Sequence, residues 1–139
     1  GAKPEQWDDM EKYPVPAAVT GRDMEREETR AKKAEADYQM VLSEYEAGSE
    51  KEMKSGRAAQ LKLNMEIRHR TALEARLSAI YTQIKLAENV YGKNSGEYSR
   101  AVEAAEPRIR ELADDLNKVR VQRRASEYWA DYYLWAEKK

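Results

Sequence analysis

The sequence predicts an all-α protein: an elongated antiparallel three-helix bundle from which a two-helix coiled-coil hairpin protrudes. Three observations predict it. Two apolar ladders of matching spacing flank a glycine-bounded turn, Gly92-Lys93-Asn94-Ser95-Gly96. A further helical stripe precedes them. The composition is that of long solvated helices with narrow apolar stripes, 37% charged with no Phe.

The ladders are the strongest signal. After the turn, Tyr98, Val102, Ala105, Ile109, Leu112, Leu116 and Val119 alternate in steps of four and three, the spacing that keeps one seam facing a partner helix. Before it, Leu73, Leu77, Ile80, Ile84, Ala87 and Tyr91 do the same. Folding the arms about the turn sets Ala87 beside Val102, Ile84 beside Ala105, Ile80 beside Ile109, Leu77 beside Leu112 and Leu73 beside Leu116. Further along, Arg70 meets Val119 and Glu66 meets Arg123, a charged layer that costs stability but fixes register when its two charges pair.

Residues 1–21 are expected to form an extended arm, since Pro4, Pro14, Pro16 and Gly21 break any helical period. Trp7 and Tyr13 on it either pack on the bundle or dock to another protein. The bundle, residues 22–139, holds helices over about 22–47, 50–91 and 96–137. The first has a stripe of Met24, Ala31, Ala34, Tyr38, Val41 and Tyr45 interrupted by Glu27, with Glu28 and Lys32 spaced to pair along the helix. Gly48 ends it, and Ser49 with Glu52 makes a capping-box pattern for the next. Leu61, Leu63, Met65 and Ile67 alternate like a strand, but no second strand-like run exists to pair with them. Read as helix, the alternation gives two apolar faces: Leu63 joins the seam, and Ala58, Leu61, Met65 and Ala72 receive the first helix. The two-helix part then protrudes from about Leu77 to Val102. Pro107 is expected to kink the last helix near Val102 and Glu103 rather than break it, because the seam stays in phase.

Gly92 suits a left-handed helix stop and Ser95 a cap for the following helix. The stretch from Ala87 to Tyr98 resembles the helix-to-helix junction of some tetratricopeptide repeats, over that stretch only, and the repeat period of that family does not recur elsewhere.

Composition narrows the chemistry. A net charge of −1 provides no overall field toward nucleic acid or an acidic membrane, so such binding needs a local patch. The absence of cysteine removes disulfides, thiolate chemistry and the usual zinc sites, and fits a reducing compartment such as the cytoplasm. No apolar run reaches transmembrane length, so membrane insertion is not expected. The opening Gly1-Ala2 in place of Met leaves room for a leading segment removed from the chain. Glu66-Ile67-Arg68-His69 has the Glu-x-x-His spacing of carboxylate-bridged di-iron bundles, but His69 is the sole histidine and such sites need a second. With no phosphate-cradling loop or nucleophile elbow, the sequence points to no enzyme, no cofactor and no metal.

Two constellations remain. Tyr128, Trp129, Tyr132, Tyr133 and Trp135 spread over a sector of roughly 160°, wider than one seam requires. They either close the bundle against the Gly48 corner and the arm or anchor a partner, as Trp and Tyr do at interfaces. Around mid-bundle, Arg68, His69, Arg70 and Arg76 lie across from Lys118, Arg120, Arg123 and Arg124, and a phosphate site would fall to Arg68, Arg70, Arg76, Lys118, Arg120 and Arg124. The leading expectation is a non-enzymatic structural or adaptor subunit. It recognises another protein, or a second copy of itself, through the arm (Trp7, Tyr13), the aromatic end or the tip. The alternative is an accessory protein that holds nucleic acid on the basic belt.

Overall fold

The computed structural model describes residues 18–48 and 56–137, with side-chain surroundings up to residue 122. Three helices follow one another: α1 (Gly21–Ala47), α2 (Gly56–Tyr91) and α3 (Gly96–Glu137). Both α1 and α3 pack along α2, which is the central element of an all-α three-helix bundle. The strand-like run from Leu61 to Ile67 is helical. The Ser49–Glu52 capping pattern lies outside the described residues, as do Trp7 and Tyr13.

The helix ends follow from side-chain chemistry. Thr20 caps α1 in a closed box: its Oγ1 accepts from the Asp23 N–H at 3.3 Å, and Asp23 Oδ2 accepts from the Thr20 N–H at 2.8 Å. The bond from the Thr20 backbone, joined by the one from its side chain, holds the Asp23 carboxyl below the usual carboxylate range. At the far end Gly48 turns extended and its N–H still bonds the Tyr45 carbonyl, so α1 stops there.

The hairpin turn is built as its residues require. Gly92 adopts φ +89°, and no atom lies within 4 Å of where a Cβ on it would stand, so the need is for backbone freedom and not for space. Its N–H reaches the Glu88 carbonyl at 2.8 Å. Ser95 Oγ accepts from the Tyr98 N–H at 3.1 Å and donates to the Gly92 carbonyl at 2.7 Å, capping α3 and bracing the turn together. Glu88 is held by Lys85 at 3.3 Å and lies 3.8 Å from Lys93 across the turn.

The expected seam is the main core. Leu73, Leu77, Ile80, Tyr81 and Ile84 of α2 form one buried cluster with Ile109, Leu116 and Val119 of α3, and Tyr98, Val102, Ala105 and Leu112 pack against it. Each buried Leu, Ile or Val contributes about 1.5–3 kcal/mol by the area it removes from water. α3 runs without interruption through the exposed Pro107, and Val102, Ala105 and Ile109 keep their phase across it. Tyr81, 1% exposed, was not on the expected ladder; it sits one residue past Ile80, on the shoulder of the seam. Tyr91, the ladder's last step, is 57% exposed, because the seam ends before the turn.

α1 docks through smaller residues. Ala31 is fully buried against Ala75 and Ala79, with Met24 and Ala34 beside them, and Ala58 and Ala72 are buried further down α2. α1 still touches α2 at Ser78 and Ala79, past Leu77, where the two-helix part is expected to begin. Glu66, meant to pair with Arg123 in the charged layer, is buried, while the Arg123 side chain lies outside the described residues.

Candidate functional site

The polar centre of the described structure is where α1 crosses the middle of α2. His69, Ala72 and Arg76 recur at three- and four-residue intervals, which places them on one side of α2. Glu28 and Glu35 stand two turns apart on α1 and share a face. One guanidinium joins them: Arg76 Nη1 donates to both Glu28 oxygens at 3.0 and 2.9 Å, and its Nε donates to Glu35 at 3.0 Å. The Arg76 side chain is 12% exposed, so the guanidinium of this inter-helix pairing is well shielded from water. Burial works against its charge, but the bonds from Glu35 and Glu28 outweigh that and push its pKa up. Two residues along α2, Ser78 Oγ donates to Glu27 at 3.1 Å, which explains how the stripe of α1 tolerates an acid within it.

Below Arg76, the ring of Tyr38 stacks on His69 with centroids 4.1 Å apart and planes within 3°. Burial lowers the His69 pKa, opposed by the charge of Asp115 on α3; burial raises that of Tyr38, reinforced by Glu46. A cavity of about 450 Å³ opens beside the stack, with Ala72, Leu73 and Arg76 of α2 below, Glu35 and Gln39 of α1 on one side and Leu112 of α3 on the other. It exists because α1 and α3 each lean on α2.

This geometry corrects two expectations. Glu28 was assigned to Lys32 on its own helix but reaches Arg76 across the interface instead, where its partner is better shielded from water. Arg76 and Arg70 were placed in a basic belt facing α3. Arg76 faces α1 with its charge answered by two carboxylates, and Arg70 bonds Glu74 on its own helix at 2.7 Å. Arg68 and Lys118 are exposed and Arg120 half-buried; the Arg124 side chain lies outside the described residues. So do those of Tyr128, Trp129, Tyr132, Tyr133 and Trp135, although α3 extends through all of them. The Tyr38–His69 stack and the Arg76 bridge went unnoticed in the sequence; Glu28 and Glu35 spaced by one heptad on a face that also carries Ala31 were the available signal.

Among the described residues no group of three His, Cys, Asp or Glu side chains is placed to hold a metal ion, and no helix is long and apolar enough to cross a membrane. Large apolar side chains do reach solvent. Val90 and Tyr91 are 62% and 57% exposed, next to each other at the hairpin tip, while Met40 and Val121 stand singly on other helices. Comparison with protein-family models, with curated proteins and with solved structures finds no match for this chain.

Proposed function

We propose that the protein is a non-enzymatic structural or adaptor subunit, a helical arm that presents its hairpin tip to another protein. The observation that carries this reading is the pair Val90 and Tyr91. Both are more than half exposed where the α2–α3 seam ends, in the last turn of α2 beside a connection braced by Ser95 and by the Lys85–Glu88–Lys93 charges. An adjacent aromatic and aliphatic pair held on a rigid support loses little entropy on docking. Arg76 and Arg70 are already neutralised within the bundle, which weighs against the mid-bundle belt as a nucleic-acid site.

The test is affinity capture with the wild type and with the Val90→Ser, Tyr91→Ser double variant. Exposed positions predict an unchanged melting temperature for the variant, with loss of the proteins that the wild type retains. Identical captured sets from both would remove the tip from the account.

A further inference from the structure

The outer face of α1 carries a row of cations that the belt reading did not include. At about 100° per residue, Arg22, Arg26, Thr29, Arg30 and Lys33 fall within a sector of about 100°, with Asp23 about 20° outside one edge and Asp37 entering the sector one turn past Lys33. All five are exposed, and the sector points away from α2, since Ala31, on the opposite side of α1, is fully buried. Arg26 and Arg30 are 71% and 60% exposed and only loosely paired, at 3.8 Å with Asp23 and 3.4 Å with Glu27. Pairs this solvated contribute little and yield to a better anion. Among the other described residues, Arg100, Arg108 and Lys118 of α3 share a side with Glu111, and Arg57 and Arg68 of α2 are separated by the neutral Gln60 and Asn64.

We propose that this ridge binds the phosphate backbone of a nucleic acid, without reading its sequence. From Arg22 to Lys33 the helix rises about 17 Å. The four cations stand about 4.5–6 Å apart along the helix axis, a regular line of charge that the evenly repeating phosphates of a nucleic-acid strand can follow, with the Thr29 hydroxyl as a further donor. Three of the four cations are arginine, whose planar fork grips phosphate oxygens bidentately. An acidic protein surface is the rival occupant. The proposal goes beyond the adaptor reading, uses a different surface from the tip, and stands or falls without it.

The experiment is fluorescence anisotropy of the full chain with a labelled oligouridylate and, separately, a labelled oligoglutamate. With about four phosphate contacts on a single strand, affinity should drop by about 50-fold between roughly 50 and 200 mM salt. Reversing the row (Arg22→Glu, Arg26→Glu, Arg30→Glu, Lys33→Glu) should abolish binding. The neutral double variant Arg26→Gln, Arg30→Gln should bind with about half the wild-type salt slope. Reversing Arg68 and Lys118 to Glu should leave binding near wild type. Circular dichroism melts on each variant confirm that the fold is kept. The proposal is overturned if oligouridylate does not bind at low salt, if the ridge variants bind like wild type, if the Arg68 and Lys118 reversal abolishes binding, or if oligoglutamate binds as tightly.

Discussion

The two interfaces of α2 are made of different material. Toward α3 it presents Leu73, Leu77, Ile80, Tyr81 and Ile84, and the facing surface answers with Ile109, Leu116 and Val119. Toward α1 it presents Ala72, Ala75 and Ala79 with Arg76 and His69 among them, and α1 answers with Ala31, two glutamates and the Tyr38 ring. A buried alanine removes a single methyl from water, about 0.8 kcal/mol, where a leucine or isoleucine removes several times that area. Close approach of small residues brings the backbones together, but the holding strength on that side depends on the Arg76 bridge, whose carboxylates are 40% and 47% exposed. One helix therefore carries a dry, salt-insensitive seam on one side and a partly wet, charge-fastened seam on the other. The hairpin is the stable unit and α1 the more weakly held strap.

The largest expected effect lies on the dry side. Ile109 is fully buried, so Ile109→Ala should cost about 2–5 kcal/mol. The loss should be read as a lowered denaturant midpoint for the whole molecule, since α3 then loses its grip on α2. Ile80→Ala should cost a similar amount, and a double-mutant cycle should show coupling if the two side chains touch as the ladder alignment expects. A change below 1 kcal/mol for either variant would break the contrast at its stronger end.

Much of that contrast was legible in sequence, and the reason is physical. Heptad spacing reports a large-residue seam because every seam position must be apolar, so the α2–α3 cluster, the left-handed stop at Gly92 and the Ser95 cap could be placed from residue types alone. α1 begins at Gly21 behind its Thr20 cap and α3 at Gly96 behind Ser95. The α1–α2 seam was harder. Alanines carry a weak hydrophobic signal, and an exposed glutamate offers several plausible cations, so Glu28 was matched to nearby Lys32 when the better-shielded Arg76 lay across the interface. Charge pairing over long sequence separations is decided by tertiary geometry, and no local spacing encodes it. The same blindness put Arg76 in the belt.

On the charged side, Arg76→Met keeps much of the side-chain volume and removes the bridge. We expect a loss of about 1–3 kcal/mol, the range for hydrogen bonds to charged groups, with the lower end favoured because Glu28 and Glu35 remain partly hydrated. Raising the salt concentration should shrink the difference between variant and wild type, whereas Ile109→Ala should be indifferent to salt. Denaturant curves at low and high salt measure both.

The smallest expected effect is a pH dependence. Burial lowers the His69 pKa below its ordinary 6.5, against the opposing pull of Asp115, so the native state favours the neutral ring. The unfolded chain then takes up the proton first as pH falls. Stability from this group is complete above about 6.5 and declines as pH drops through and below that value toward the lowered native pKa. Replacing His69 with Gln should flatten this decline. Melting temperatures between pH 7 and 5 for both proteins test it, and parallel curves would show that His69 does not report on the α1 seam.

Native-state hydrogen exchange resolves the two interfaces in one molecule. The amides of Ala31 and Ala34 in α1 should open with a lower free energy than those of Ile80 in α2 and Ile109 in α3, and added salt should widen the gap by weakening the Arg76 bridge. A single opening free energy shared by all four, unmoved by salt, would show that the bundle unfolds as one unit and that α1 is no strap.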